Sequence, residues 1–210
     1  MKQTEVSRAT VGRIPSYLKH LKSLNAATVN ISATALAKAL GLGEVQVRKD
    51  LSAVSGAGRP KTGYNVQALI TALEHFLGTN SHSSVVIVGA GKLGRALLDY
   101  GGFNEYGLNL LAAFDTAVLK TEFSHTGKPI YSMNELDAFC SANAVRIGVI
   151  AVPAESAQQV CNRLVQNSIQ AIWCFAPCTL KVPENIPVQY ENMALSLAYL
   201  NTKINDHRGK

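Results

Sequence analysis

VVIVGAGKLGRALL, residues 85–98, runs from four β-branched residues through Gly89-Ala90-Gly91-Lys92-Leu93-Gly94 into an apolar stretch at helical spacing. The pattern predicts a buried strand, a glycine turn and a helix that opens on the turn. Backbone N–H groups and the helix dipole make such a helix N-terminus attractive to a pyrophosphate. Gly89 permits the sharp turn, Gly91 lets the backbone approach the phosphates, and Gly94 lets helix and strand pack closely. A G-x-G-x-x-G motif alone is a weak signal. Here Asp115 closes the next apolar run, at close to the expected spacing of about 20 residues from the last glycine. A carboxylate there accepts hydrogen bonds from ribose hydroxyls and repels a 2′-phosphate, and Thr116-Ala117-Val118 supplies no arginine to offset it. The expected cofactor is NAD(H) rather than NADP(H). A glycine-rich corner without a ligand, or another nucleotide such as coenzyme A, are the open alternatives.

Around this stretch, strands are predicted near 85–88, 109–114, 146–152 and 169–175, and helices near 92–100, 133–143 and 154–168. Their alternation implies an α/β, Rossmann-type doubly wound parallel sheet. Val152-Pro153 falls at the carboxyl end of a strand, where such sheets face their ligand. Pro153 also suits the first position of a helix. Hydride transfer to a substrate needs a proton donor or acceptor held against it. His82 falls in a linker, His125 in a loop and His207 in the tail, and only about thirty residues follow the sheet. No catalytic residue is assigned, so the expectation is a cofactor grip without an enzyme. The rival is a small NAD-dependent oxidoreductase with a basic dimerisation region.

The 210-residue chain has a formal net charge of +6, and all of the excess lies ahead of the glycine motif. Residues 1–80 carry ten Lys/Arg against four acids, whereas the rest is balanced. A basic segment of this kind suits a polyanion. Ser7 caps a helix predicted to run to about Ala27, with Val11, Ile14, Leu18, Leu21 and Leu24 on its apolar stripe and Pro15 near its start. Ser32 caps a second helix over Ala33–Leu40, Gly41-Leu42-Gly43 breaks it, and Glu44–Val54 forms a third. Two short helices joined by a glycine turn are a helix-turn-helix signature. Ala37 and Leu42 suit its crossing, Val45, Val47 and Leu51 its buried side. Gln46, Arg48 and Lys49 are suited to base edges and phosphates in a major groove. In SGAGRPKTGY, residues 55–64, a tight hairpin would present Arg59 and Lys61 as a wing to phosphates or a narrow minor groove. Asn65 then caps a fourth helix bearing Val66, Leu69, Ile70, Leu73, Phe76 and Leu77.

The division that follows is a winged-helix domain over 1–78, a linker over 79–84, the nucleotide-binding domain over 85–190, and a C-terminal dimerisation helix and tail over 191–210. No apolar run is long enough to span a bilayer, and MKQTEVSRAT has no secretion-signal core; a cytoplasmic location without membrane contact is expected. Cys140, Cys161, Cys174 and Cys178 read as buried small hydrophobes or free thiols. WCFAPC lacks the second pair a zinc site needs, so no metal is expected, while a redox-active disulfide there is the minority alternative.

With these motifs in place, the chain resembles the Rex family of redox-sensing transcriptional repressors over nearly its full length. The resemblance rests on VSRAT (6–10), QVRKDLS (46–52), GYNV (63–66), VGAGKLGRALL (88–98), AAFD (112–115), VPAESAQ (152–158), FAP (175–177) and LKVPENI (180–186), in order and spacing. It implies a homodimer with an N-terminal winged helix, a Rossmann domain and a last helix exchanged between subunits. It further implies repression of fermentative and anaerobic genes, with double-stranded operator DNA bound when NADH is low and released when NADH binds. Arg48 and Lys49 match the family's major-groove residues. Gly89, Gly91, Gly94 and Asp115 match its dinucleotide site, and Val152-Pro153 the edge near the nicotinamide. Tyr100 matches a tyrosine that in relatives makes a redox-sensitive contact with an aspartate of the partner subunit; this chain carries Asn192 in the aligned segment. Ala53 and Val54 replace a usual aromatic pair, and Cys174 stands where relatives have an asparagine before FAP.

Overall fold

The computed structural model describes residues 6–79 and 82–208. The chain separates into two compact units, Met1–Ser81 and His82–Lys210. Asn80 and Ser81, in the segment read as a linker, lie outside the described residues, as do residues 1–5 and 209–210.

In the first unit the chain forms α1 (Arg8–Ser23), β1 (Asn30–Ile31), α2 (Ala33–Leu40), α3 (Glu44–Ser55), β2 (Tyr64–Asn65) and α4 (Val66–Leu77). The predicted caps operate: Ser7, Ser32 and Asn65 each accept a hydrogen bond from a backbone N–H three residues on. Helix α1 ends four residues short of Ala27, because the Asn25 side chain takes the Ala27 N–H into a turn. It buries Ile14, Tyr17, Leu18 and Leu21, while Val11 of the expected stripe is exposed. Gly41 closes α2 in the left-handed conformation at φ 64°. Val45, expected on the buried side of α3, is 65% exposed. Residues 47, 50 and 51 share the inner face at the i, i+3, i+4 spacing, and two residues' rotation turns position 45 outward.

Asp50 is the charged residue of that inner face and is 1% exposed. It accepts from Thr10 Oγ1 (2.9 Å), Arg13 Nε (2.7 Å) and Nη2 (2.9 Å), Tyr17 Oη (2.6 Å) and Gln46 Nε2 (3.1 Å). Burial opposes ionisation of Asp50, but the hydrogen bonds from Arg13, Tyr17, Thr10 and Gln46 outweigh it and hold the carboxyl at about 2. The same site pushes Tyr17 up to about 12, through burial and then its bond to Asp50. One carboxylate thus pins α1 to α3.

The second unit comprises β3 (Ser83–Val88), α5 (Lys92–Asp99), β4 (Leu108–Asp115), β5 (Glu122–Phe123), β6 (Pro129–Ser132), α6 (Leu136–Asn143), β7 (Ile147–Ile150), α7 (Ala154–Gln166), β8 (Ala171–Cys174), β9 (Val188–Tyr190) and α8 (Met193–Arg208). The strands lie in the order β5-β6-β4-β3-β7-β8-β9, parallel except for the antiparallel edge strand β5. Alternation along β3 sends Val86 and Val88 into one core with α6 and α7, and Val85 and Ile87 into another with Leu98 of α5. Both faces of the sheet are therefore covered, as a doubly wound sheet requires. The order reverses at β3, which pairs with β4 on one side and β7 on the other.

Because Asp50 is held near 2, its contribution to stability is complete above the ordinary carboxylate range near 4 and disappears as pH falls towards 2. Acid titration of the protein, followed by circular dichroism, is expected to lose helix in that window. Asp50→Asn is expected to cost about 3 kcal/mol at neutral pH, read as a lower urea midpoint at unchanged slope.

Candidate functional site

Gly89 leaves β3 at φ 104°, a conformation that a side chain would strain. A Cβ on it would also sit 2.5 Å from the Ala151 carbonyl oxygen at the end of β7. Gly91 is the N-cap of α5 and contributes no side-chain cap; a Cβ there would meet nothing within 4 Å. Gly94 lies on the underside, where a Cβ would stand 1.8 Å from the Gly89 carbonyl oxygen. The first glycine turns the chain, the second leaves open space, and the third brings the helix down on the strand.

Asp115, at the end of β4, faces this turn. Its Oδ2 accepts from the Ala90 N–H at 2.7 Å and its Oδ1 from the Ala117 N–H at 2.9 Å. Each carboxylate oxygen keeps lone-pair capacity for a further donor such as a ribose hydroxyl. Gly89, Gly91, Asp115, Val152 and Pro153 line one cleft of about 410 Å³ at the carboxyl ends of β3, β4 and β7. That is the switch point where open α/β sheets take ligands. The open space over Gly91 and the unpaired N–H groups of the first turn of α5 fit a pyrophosphate. Ala90 is buried behind the turn, and Lys92 is exposed on the first turn.

Leu93 faces a second groove, of about 520 Å³, with Phe175, Cys178, Tyr190 and Asn192. Sequence reasoning missed Arg163, which lines the first cleft and pairs with Asp137 through Nε (3.0 Å) and Nη2 (2.9 Å). This pairing holds the Asp137 carboxyl below its ordinary range. It missed also an aromatic chain in which Tyr100–Phe103, Phe103–Trp173 and Trp173–Phe175 have ring centroids 5.1, 5.8 and 4.5 Å apart. The glycine motif ends before Tyr100, and no short motif joins residues 103 and 173. Tyr100 is 60% exposed. Asn192 caps α8 by accepting from the Leu195 N–H at 3.1 Å. Among the described residues no hydrogen bond joins Tyr100 to Asn192.

In the first unit, Arg48 and Lys49 are exposed on α3, with Arg48 paired to Glu44 one turn earlier. Gln46, expected to face bases, has its amide turned to Asp50. The wing is a hairpin: the Arg59 N–H donates to the Gly63 carbonyl at 2.8 Å and the Gly63 N–H to the Arg59 carbonyl at 2.9 Å. Lys61 sits at its tip at φ 65°. Arg48, Arg59 and Lys61 border one concavity with Ser32 and Thr34, so α3, the wing and the start of α2 share a basic face. Among the described residues, no group of three or more His, Cys, Asp or Glu is placed to hold a metal, and no helix is long and apolar enough to cross a membrane.

A helix-turn-helix with a basic wing, followed in the same chain by a nucleotide-type switch point, defines a ligand-responsive DNA-binding regulator. The comparisons agree with this class. A family described as putative DNA-binding protein N-terminus matches residues 5–52, and one described as CoA binding domain matches residues 80–178. The redox-sensing transcriptional repressor Rex of Treponema denticola is 38% identical over 97% of this chain and 98% of its own. That of Bacteroides thetaiotaomicron is 36% identical over 96% and 92%. A solved structure of RSP in complex with β-NAD+ and operator DNA is 31% identical, with a TM-score of 0.85 over 98% of this chain and 95% of its own. RSP in complex with β-NADH is 30% identical, with a TM-score of 0.78 over 98% and 97%. The chain belongs to the Rex family of redox-sensing transcriptional repressors.

The two glycines that frame α5 differ in what they tolerate. Gly94→Ala is expected to destabilise the second unit by about 3 kcal/mol through the clash with the Gly89 carbonyl. Gly91→Ala meets open space and is expected to leave the melting temperature unchanged. Thermal unfolding of the two variants side by side measures the difference.

Proposed function

We propose that the protein is a cytoplasmic repressor that binds double-stranded operator DNA as a homodimer and is released when NADH occupies the second unit, so that it reports the NADH/NAD+ ratio. The observation that carries this reading is the pairing, in one chain, of the basic α3–wing face with the Gly89–Gly94 turn and Asp115. It is supported by a relative of the same fold that takes both NAD+ and operator DNA. In this reading Arg48 and Lys49 contact the major groove and Arg59 and Lys61 the minor groove, with Gln46 positioned between base edges and Asp50. The pyrophosphate lies on Gly89–Gly94, backed by Ala90, Lys92 and Leu93. Asp115 holds the adenosine ribose, and Val152-Pro153 borders the cofactor. Asp115 also favours NAD(H) over coenzyme A, whose adenosine carries a ribose phosphate that a carboxylate repels.

The dimer reading is supported by α8. Met193, Leu197, Leu200 and Ile204 recur at i, i+4, i+7 and i+11, and Leu195 and Tyr199 fall on the opposite side; all six are more than half exposed. A helix apolar on two sides suits burial between subunits, by exchange with a second copy. There Tyr100 can donate to the partner subunit's Asn192, an amide in the position of the family's carboxylate. NADH, by favouring one of two dimer states, would change the spacing of the recognition helices and so the fit to paired half-sites.

The deciding experiment is fluorescence anisotropy on an operator duplex selected from random DNA, with NADH and NAD+ added separately. NADH is expected to lower operator affinity and NAD+ to leave it. An operator affinity indifferent to NADH would sink the sensor reading. Arg48→Ala is expected to weaken specific binding by about 1–3 kcal/mol. Asp115→Ala is expected to keep DNA affinity and blunt the NADH response. Gly91→Ala, although it folds, is expected to lose NADH binding.

A further inference from the structure

Three of the four cysteines converge in the second unit. Cys161 of α7 and Cys174 at the end of β8 are buried in one core, and Cys178, half-buried, packs against it. The segment between Cys174 and Cys178 is a tight turn, in which the Cys178 N–H donates to the Ala176 carbonyl at 2.8 Å. The Cys174 thiol donates to the same carbonyl at 3.7 Å, so both cysteines are turned to the Ala176 carbonyl. Burial pushes the Cys174 and Cys161 thiols up. The two sulfurs differ in access: Cys178 lines the open groove beside Leu93, and Cys174 lies behind it. Metal binding does not account for the cluster, since these thiols do not form a set placed to hold an ion.

We propose that Cys174 and Cys178 form a peroxide-oxidisable dithiol, and that their disulfide deforms the groove beside Leu93 and weakens NADH binding. The Cys178 thiolate attacks one oxygen of a hydroperoxide. The O–O bond breaks, the departing oxygen takes a proton, and Cys178 becomes a sulfenic acid. The Cys174 sulfur then attacks the Cys178 sulfur; an S–S bond forms, the S–O bond breaks, and water leaves with the Cys174 proton. Two electrons pass from the pair to the peroxide, and a cellular thiol reductant returns them by exchange.

The anchoring of the turn explains how the modification reaches the groove. The Phe175 N–H donates to the Ile150 carbonyl at 2.9 Å, and the Glu191 N–H to the Cys174 carbonyl at 2.9 Å. The Phe175 ring is packed on Trp173. A disulfide brings its Cβ atoms to about 3.8 Å, and with Cys174 and Phe175 held, residues 176–178 take up the movement. These residues are the groove wall opposite Leu93. The consequence for NADH rests on the function proposed above: a dinucleotide with its adenosine ribose at Asp115 crosses the turn at Gly91 and extends its other half towards Leu93.

The test treats the full-length protein with hydrogen peroxide, blocks remaining thiols and digests with trypsin without reductant. The peptide Leu164–Lys181 contains Cys174 and Cys178 and no other cysteine. It is expected to lose two hydrogens and escape alkylation, in the wild type and in Cys161→Ser but not in Cys178→Ser. Calorimetry is expected to show NADH affinity falling several-fold on oxidation and returning with dithiothreitol, with no peroxide effect in Cys178→Ser. A peptide that stays alkylated, a link that requires Cys161, or a disulfide that leaves NADH affinity unchanged each overturns the proposal. A reduced protein that binds no NADH overturns the cofactor reading and with it the stated consequence, while the peptide, which needs no NADH, still reports whether the dithiol forms.

Discussion

The carbonyl oxygen of Gly89 occupies the space that a side chain on residue 94 would need. No residue other than glycine lets α5 descend on the carboxyl end of β3 at that distance, and the rest of the cleft follows from it. Once α5 starts directly at the turn, its unpaired N–H groups converge beside Gly91, where nothing fills the space. Residue 89 in turn lies close against the carbonyl of Ala151, just past β7, so the turn also fixes the separation of β3 and β7. Asp115 closes the arrangement by taking the Ala90 N–H, which holds the turn to the end of β4. A ligand arriving here meets a surface that two close backbone contacts and one carboxylate have already organised.

The first unit solves a comparable problem by different means. A helix that presents its outer face at a fixed angle needs an anchored inner face, and the short α3 offers there Val47, Leu51 and the partly buried Val54 as apolar groups. Asp50 supplies the rest, drawing donors from three positions on α1 and one on α3 itself. A buried carboxylate with that many donors is costly to disrupt, and its directional bonds fix rotation as well as distance, which apolar packing alone does less well. Gln46 illustrates the result. Its amide Nε2 donates to Asp50 while the residue stays exposed beside Val45, Arg48 and Lys49.

Much of this was legible from residue order. The glycine turn, the caps at Ser7, Ser32 and Asn65, the Gly41 break and the doubly wound alternation are local signals, each written within a few residues. What escaped was non-local or too short to show a period. The two-residue strands β1 and β2 pair across more than thirty positions of chain, and the short strands β5, β6 and β9 carry too few residues to alternate visibly. The role of Asp50 has no local signal because its partners Thr10, Arg13 and Tyr17 are far away in sequence. Val45 was misplaced because three apolar residues were assigned one side without allowing for the rotation between 45 and 47. Arg163 entered the cleft through its pairing with Asp137, and the chain of rings from Tyr100 to Phe175 arises only when the segment after α5 meets β8 and the turn that follows it.

The chemistry of the cleft bears on why such a site should sense a cofactor instead of turning it over. Asp115 has both oxygens engaged by backbone N–H groups, which orients it for hydroxyl donors. Arg163 is tied to Asp137. Cys174, at the neighbouring strand end, is buried and its thiol is pushed up, so it holds its proton in the resting protein. Among the described residues lining the cleft, Asp115 and Arg163 are the ionisable groups, and both are engaged by protein partners. Binding energy not committed to a transition state is available to shift an equilibrium, and only the difference in affinity between two states counts towards that shift. Coupling energies of about 1–3 kcal/mol suffice for a several-fold to hundredfold change in a second ligand's affinity. The nicotinamide's charge and planarity change on reduction, so a pocket wall packed on the ring can supply a difference of that size through contact alone, with no bond to the cofactor made or broken.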